Sequence, residues 1–162
     1  MGTGKTTVGK KVARSLGFQF VDTDEMIVKA AGKSIPEIFA DEGEETFRDL
    51  ETAVLRECTT ADNQVISTGG GIILREENRG LLKNAGYVIW LQASAKAIVS
   101  RVSRNQDRPL LAEKNPASTV KKLLNERHGF YESIADLTIA TDDLLIEETV
   151  YGVAESARLV LG

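Results

Sequence analysis

The start of the chain contains a glycine-rich run whose residue types suit the binding of nucleotide phosphates. Gly4, Lys5 and Thr6 fill the last three positions of the pattern G-x-x-x-x-G-K-[ST], and an amphipathic segment that predicts a helix begins at Lys5. Glycine lets backbone N–H groups approach a polyphosphate, a helix start attracts anions, and the lysine ammonium can reach the outer phosphates. The run therefore predicts a phosphate site in which the Thr6 hydroxyl binds Mg²⁺; a chance helix-capping turn is the alternative. The residues of this site are Gly2, Gly4, Lys5, Thr6 and Thr7.

Two carboxylates follow the next apolar segment, FQFV, which predicts a strand at residues 18–21. Asp22 and Asp24 then lie at the carboxyl edge of the sheet, where open α/β folds bind ligands. A two-residue spacing in extended chain turns both side chains to the same side. Because phosphoryl transfer depends on charge stabilisation around a metal, we interpret the pair as part of a nucleotide site. For Asp24 taken alone, capping of the following helix is an equally good interpretation.

Three consecutive glycines, Gly69, Gly70 and Gly71, follow a second predicted strand, QVIS. A glycine run has a large conformational entropy in the unfolded chain, and it is typical of backbone that must be approached without interference from Cβ atoms. At the carboxyl end of a strand we therefore predict a ligand platform. A flexible hinge is the alternative.

Two arginines have residue types and locations that suit anion recognition. Arg48 lies on the acidic helix EETFRDLE, where an ordinary surface ion pair is as good an interpretation as a ligand contact. Arg108 lies in the segment QDRPLL, where Pro109 disfavours a helix. A cation on a closing loop can neutralise charge on a transferred phosphoryl group, whereas a solvated loop charge is the alternative.

The elements that must position these residues alternate between helices and short apolar strands, which predicts an α/β fold. Four such strands joined by helices indicate a parallel sheet with helices on both faces, in three layers. The predicted strands are 18–21, 64–67, 87–91 and 137–140, and the predicted helices are 5–16, 24–31, one beginning at Ser34, 44–59, 76–84, 94–104, 117–132 and 146–161.

Composition excludes several classes of function. With 20 basic and 24 acidic residues the net charge is −4, so the chain has no general basic field for nucleic acid or anionic membranes. The single cysteine, Cys58, cannot form an internal disulfide, and no run of residues is long and apolar enough to predict a membrane span. From these residues we also expect no signal peptide. We expect a cytoplasmic monomer that binds neither nucleic acid nor membrane. Cys58, Trp90, His128 and the tyrosines are interpreted as structural.

Five stretches of the sequence together resemble the shikimate kinase family, a small member of the nucleoside-monophosphate-kinase-like group of P-loop kinases. In order, they are G-T-G-K-T-T, V-D-T-D, F-R-D-L-E, T-G-G-G and R-P-L-L, and the likeness extends from Gly2 to about Thr141. It implies transfer of the γ-phosphate of ATP to the 3-hydroxyl of shikimate, in the chorismate pathway to the aromatic amino acids. It also implies a single P-loop kinase domain, 1–162, with substrate-binding helices at about 24–60 and a lid at about 105–116.

For the ATP half of the site, the resemblance implies contacts to the phosphates, the base and a magnesium ion. Lys5 would contact the transferring phosphate, Arg101 the nucleotide base, and Arg108 the ATP phosphates from the lid. Thr6 and Asp22 would hold Mg²⁺. The implied ATP-binding residues are Gly2, Thr3, Gly4, Lys5, Thr6, Thr7, Arg101 and Arg108.

For the shikimate half, the resemblance implies a base and two carboxylate-binding arginines. Asp24 would bind the acceptor hydroxyl and accept its proton, so that Lys5, Asp24 and Arg108 form the catalytic set. Arg48 and Arg127 would bind the carboxylate. The implied shikimate-binding residues are Asp24, Arg48, Glu51, Gly69, Gly70, Gly71 and Arg127.

The resemblance further implies a strand ahead of the phosphate loop. The family's sheet has five strands in the order 2-3-1-4-5, and its central first strand leads into that loop. Without this strand its two neighbours would be separated by about twice the usual 4.8 Å spacing. We therefore expect that residues upstream of Met1 belong to the natural protein.

Two other functions are compatible with the residues. One is a related kinase for another acceptor, such as gluconate, and the other is a nucleotide-binding module that has lost catalysis. The segment TDDLLIEE after the last predicted strand lacks the arginine or proline that some relatives place against adenine.

Overall fold

The computed structural model describes residues 2–103 and 115–162, and it shows the predicted alternation of helices and strands. The first helix buries Val8, Val12 and Ala13, which recur at the spacing of one helical face. The helices are α1 Lys5–Leu16, α2 Thr23–Ala31, α3 Ile35–Cys58, α4 Glu76–Ala85, α5 Ala95–Ser103, α6 Pro116–Ile134 and α7 Ile146–Leu161, with a short 3₁₀ helix at Ile72–Leu74.

The described residues contain four short strands, arranged as two separate parallel pairs. In the first pair, β1 (Gln19–Asp22) lies beside β2 (Gln64–Ser67). In the second, β3 (Ile89–Gln92) lies beside β4 (Leu137–Ala140). The first strand begins one residue later than predicted because Phe18 donates its N–H to Ala13 at the end of α1, at 2.9 Å.

A slot separates the two strand pairs, since no described strand lies between the facing edges of β2 and β3. Apolar side chains line this slot, including Ile66 of β2 and Ile89 and Leu91 of β3. In the predicted order 2-3-1-4-5, the pair β1–β2 corresponds to strands 2 and 3, and the pair β3–β4 corresponds to strands 4 and 5. The expectation about residues upstream of Met1 stays a prediction.

Helices cover both faces of the strands, as predicted. On one face, α1 and α7 pack on Val65, Ile89 and Ile139. On the other face, α2 and α3 pack on Val21 and Ile66. Neighbouring residues of β2 therefore face opposite helix layers, which is the pattern of a parallel sheet buried on both sides.

Helix α3 changes direction at Gly43, whose φ of 85° and ψ of 171° lie outside the helical region. The capping box predicted at its start is formed: the Ser34 N–H donates to Glu37 Oε2 at 2.8 Å, and the Glu37 N–H donates to Ser34 Oγ at 3.4 Å. The predicted helix start at Glu44 corresponds to the second half of α3. This second half carries the residues of α3 that enter the site.

Helices α4 and α6 complete the layer that also contains α3. Leu55 of α3, Ile72 and Ile73 of the 3₁₀ helix, and Ile134 of α6 form one buried cluster. The 3₁₀ helix was not predicted, because three residues are too few to show a helical period. Among the described residues, no helix combines the length and apolar character needed to cross a membrane.

Candidate active site

The phosphate loop lies at the start of α1 with its glycines in left-handed conformations. Gly2 has a φ of 62° and Gly4 a φ of 83°, values that side-chain-bearing residues rarely adopt. The Gly4 carbonyl accepts the first α-helical hydrogen bond, from Val8 N–H at 2.9 Å. A Cβ at Gly2 would lie 3.1 Å from Val102 of α5, so the loop also packs closely against that helix. The N–H groups of the first turn of α1 therefore open toward the space beside the loop.

A hydroxyl and a carboxylate meet beside this loop. Thr6 Oγ1 donates to Asp22 Oδ2 at 3.0 Å, and Asp22 Oδ1 accepts the N–H of Asp24 at 3.0 Å. Asp22 is thus the N-cap of α2, and the interpretation of Asp24 as the cap was wrong. Asp24 is helical, so the first turn of α2, not strand alternation, brings it beside Asp22.

The oxygen donors at this point suit Mg²⁺, which prefers carboxylate, hydroxyl and phosphate oxygens. Within residues 2–103 and 115–162, no group of three or more His, Cys, Asp or Glu side chains could hold a metal by itself. Thr6 and Asp22 together therefore fit a magnesium ion that takes its other ligands from nucleotide phosphates and water.

Arg48 lies between two carboxylates in the second half of α3. Its Nη1 donates to Glu51 Oε2, while its Nε and Nη2 donate to Glu44 Oε1 at 3.3 and 3.1 Å. The side chains of Arg48 and Glu51 are only 12% and 1% exposed, so this is not an ordinary surface pair. One guanidinium thus meets a buried carboxylate on one side and an exposed carboxylate on the other.

The charged groups in this cluster shift each other's pKa values. Burial raises the pKa of Glu51, and the hydrogen bond and positive charge of Arg48 oppose that rise without cancelling it. Burial alone would lower the pKa of Arg48, but Glu51 and Glu44 outweigh it and raise that pKa. Arg48 therefore stays a cation throughout the physiological range, available to an anionic ligand.

The glycine run packs against the charged side chains of α2 and α3. A Cβ on Gly69 would lie 2.9 Å from Asp24 Oδ1 and 3.1 Å from Glu51 Oε1. A Cβ on Gly71 would overlap the Arg48 guanidinium. The absence of side chains here is what lets the backbone approach these three groups.

Helix α6 supplies a second arginine and a tyrosine to the same region. Arg127 lines the cavity that Arg48 also lines, and its positive charge acts on Glu51. Tyr131, one turn later, donates its hydroxyl to the Gly70 carbonyl at 2.5 Å. The sequence analysis did not assign Tyr131 or Glu44 to the site. For Tyr131, the available signal was its spacing of four residues from Arg127 on one helix, which places the two side chains on the same face.

Arg101 connects three parts of the predicted ATP half. Its Nη2 donates to the Thr141 carbonyl at 2.7 Å, its Nη1 to Thr141 Oγ1 at 3.0 Å, and Nη1 also to the Gly2 carbonyl at 3.5 Å. This arginine thus joins α5, the phosphate loop and the segment after β4. Arg108 and most of the predicted lid, 105–116, lie outside the described residues.

One cavity of about 720 Å³ joins almost all the predicted site residues that the structure describes. Thr3 is the exception, since it lines the neighbouring cavity that Ile66, Ile89 and Leu91 of the slot also line. Contacts order these residues along the cavity: Asp22 bonds Thr6 of the phosphate loop, Asp24 lies against Gly69, and Glu51 bonds Arg48. The predicted residues along its wall are Gly2, Gly4, Lys5, Thr6, Thr7, Asp22, Asp24, Arg48, Glu51, Gly69, Gly70, Gly71, Arg101 and Arg127.

Comparisons with known proteins agree on one family. The family model for shikimate kinase matches residues 1–158. The shikimate kinase of Caldanaerobacter subterraneus subsp. tengcongensis is 48% identical over 148 residues, which cover 91% of this chain and 86% of that protein. The shikimate kinase of Thermodesulfovibrio yellowstonii is 49% identical over 148 residues, with 91% and 85% covered.

Solved structures of shikimate kinases also have this fold. The shikimate kinase from Acinetobacter baumannii in complex with shikimate has a TM-score of 0.91 at 38% identity, covering 99% of this chain and 88% of that one. The enzyme from Aquifex aeolicus has a TM-score of 0.84 at 35% identity, with 100% and 95% covered.

Proposed function

The chain belongs to the shikimate kinase family, and from that premise we propose that it transfers the γ-phosphate of ATP to the 3-hydroxyl of shikimate. The products are shikimate 3-phosphate and ADP, in the pathway to chorismate and the aromatic amino acids. The observation that carries the proposal is the shared cavity, with the phosphate loop at one end, Arg48 and Arg127 at the other, and Asp24 between them.

The phosphate loop end suits the nucleotide. Backbone N–H groups of the loop and of the first turn of α1 receive the phosphates, and Lys5 neutralises charge on the group in transfer. Thr6 and Asp22 would hold Mg²⁺, which supplies positive charge to the phosphate oxygens. Arg108 would act on the same phosphates from the lid.

The opposite end suits a small carboxylated acceptor. The planar guanidinium groups of Arg48 and Arg127 match a carboxylate better than ammonium groups do. The backbone N–H groups of Gly70 and Gly71 supply further donors, whereas the Gly69 N–H donates to Thr23 Oγ1 at 3.3 Å. These contacts orient the acceptor so that one of its hydroxyls faces the phosphate loop.

Asp24 is the base of the proposed reaction. It lies at the start of α2, beside Asp22 and in contact with the glycine run, between the two halves of the cavity. A secondary hydroxyl is a weak acid, so its proton moves to Asp24 late, as the phosphoryl group leaves ADP. In this reaction the cavity residues position the two reactants, and Asp24 accepts one proton.

We also propose that the protein acts in the cytoplasm as a monomer, with ATP and shikimate as its ligands. The single cysteine of the sequence supports a reducing compartment.

The proposal is tested by coupled-enzyme measurement of ADP release with MgATP alone, with shikimate and with gluconate. We expect release that depends on shikimate and not on gluconate. Asp24→Asn is the control, because it keeps the shape of the site and removes the base. It should lower turnover by at least about 100-fold while ATP affinity stays near that of the parent chain. ATP binding without shikimate-dependent release by the parent chain would instead favour a nucleotide-binding module.

A further inference from the structure

The Tyr131 hydroxyl joins helix α6 to the glycine run across 61 residues of sequence. It donates to the Gly70 carbonyl at 2.5 Å. The tyrosine ring stacks on Trp90 of β3, with 5.2 Å between ring centroids and 23° between the planes. Because β3 fixes Trp90 and the stack fixes the ring, the hydroxyl has a defined position against the run.

Tyr131 follows Arg127, a cationic residue, by one turn of α6. Burial raises the pKa of Tyr131, and the positive charge of Arg127 opposes that rise without cancelling it. Tyr131 therefore keeps its proton at neutral pH and can donate it to the Gly70 carbonyl. One side chain thus fixes the glycine backbone beside an arginine of the cavity wall.

The hydrogen bond from Tyr131 to the Gly70 carbonyl fixes backbone that lines the cavity. The flanking glycines lie against Asp24, Glu51 and Arg48, with no side chains of their own to fix the backbone. In a trans peptide the carbonyl and the following N–H point in opposite directions in one plane. Holding the Gly70 carbonyl therefore also orients the N–H of Gly71.

We propose that Tyr131 is a positioning residue for the acceptor half of the site, holding the Gly69–Gly71 backbone in the arrangement that binds the acceptor. The tyrosine acts through this backbone and does not itself contact the reacting atoms. The role rests on the proposed function, because it assigns the glycine run to acceptor binding.

The test compares Tyr131→Phe with Tyr87→Phe. Tyr87 is a matched control: its hydroxyl is also partly buried and shares a 2.7 Å hydrogen bond, but with Ser156 of α7, away from the cavity. Tyr131→Phe should raise the KM for shikimate at least about threefold and leave the KM for ATP nearly unchanged. Tyr87→Phe should change neither KM, although each variant loses one hydrogen bond.

A second readout uses the ligand-free protein and does not depend on the identity of the acceptor. In hydrogen exchange, peptides spanning residues 67–73 should exchange faster in Tyr131→Phe and at the parent rate in Tyr87→Phe. Unchanged exchange in Tyr131→Phe, or an equal rise of both KM values, overturns the positioning role. Absence of shikimate turnover in the parent chain overturns the proposed function separately, while the exchange result still decides whether Tyr131 holds the glycine run.

Discussion

Arg48 meets a different carboxylate on each side of its guanidinium group. Buried Glu51 takes Nη1, whereas Glu44, whose side chain is 64% exposed, takes Nε and Nη2. The Nε and Nη2 pair is the side that a substrate carboxylate would use for two parallel hydrogen bonds. Under the proposed function, Glu44 and the carboxylate of shikimate compete for this edge of the guanidinium group.

Glu44→Gln should tighten shikimate binding, because it removes a competing negative charge while Glu51 still holds Arg48. We expect the KM for shikimate to fall by about twofold to fivefold, in keeping with the modest strength of an exposed pair, and the effect to shrink at high salt. Steady-state kinetics at two ionic strengths measures both.

Glu45→Gln is the matched control for this change. It makes the same substitution at the adjacent residue, whose carboxylate pairs with Arg75 and not with Arg48. An equal fall in KM in both variants would mean that general charge, and not competition at Arg48, is responsible. A rise in KM for Glu44→Gln would mean that Glu44 helps to orient Arg48.

At this scale, local motifs in the sequence predicted residues that the structure brings to one cavity wall, but not the residues that contact them there. Gly4, Lys5, Asp22 and the glycine run could be proposed because their types and spacing are local. Glu44 was not singled out, because Glu44, Glu45 and Glu51 all lie three or four residues from Arg48 on one helix. Only the side-chain contacts of the structure show that Glu44 and Glu51 meet the guanidinium while Glu45 meets Arg75.

At the scale of elements, the glycine run works as the surface on which α2, α3 and α6 converge. It follows β2 directly and is fixed at its far end by the 3₁₀ helix, where the Leu74 N–H donates to the Gly71 carbonyl at 3.1 Å. This helix and the hydrogen bond from α6 argue against a flexible hinge. The run is a close-packed junction of three helices.

Gly71→Ala should disrupt this junction by steric overlap alone. Gly71 has a φ of −90° and a ψ of −5°, which alanine adopts without strain, but the new methyl group would overlap the Arg48 guanidinium. Displacement of Arg48 should raise the KM for shikimate by at least about tenfold and leave the KM for ATP near the parent value.

Gly80→Ala provides the control for Gly71→Ala. Gly80 lies on an exposed face of α4, and a Cβ there would meet no atom within 4 Å. This variant should keep both KM values and gain slight thermal stability, since alanine favours a helix over glycine. Parent-like shikimate kinetics in Gly71→Ala would show that Arg48 in its present position is not needed for acceptor binding.

The elements themselves were predicted well because their signals are local: helical periodicity, the Ser34–Glu37 capping box and short apolar strands. The helix caps were harder. Asp22 and Asp24 are both acceptable N-caps by type, and the structure shows that Asp22, in extended conformation at the end of β1, is the cap. The bonds from Arg101 to Thr141 and from Tyr131 to Gly70 span 40 and 61 residues, distances over which sequence pattern carries no signal.

At the scale of the whole molecule, the two strand pairs place the halves of the site on either side of the slot. β1 and β2 lead to Asp22 and to the glycine run, whereas β4 leads to Thr141, which Arg101 joins to the phosphate loop. The facing edges of β2 and β3 carry backbone groups that a neighbouring strand would satisfy. Helix α1 packs on both strand pairs, since Val8 and Val12 cluster with Val65 of β2 and with Leu91 of β3.

The central claim is that the arginines at one end of the cavity orient shikimate so that its 3-hydroxyl, and no other, meets the γ-phosphate of ATP. The most direct test is ³¹P and ¹H NMR of the product formed from MgATP and shikimate. The account predicts one phosphomonoester signal, coupled to the proton at carbon 3, appearing together with ADP in equal amounts. Inorganic phosphate in place of an ester, or an ester on another hydroxyl, would contradict it.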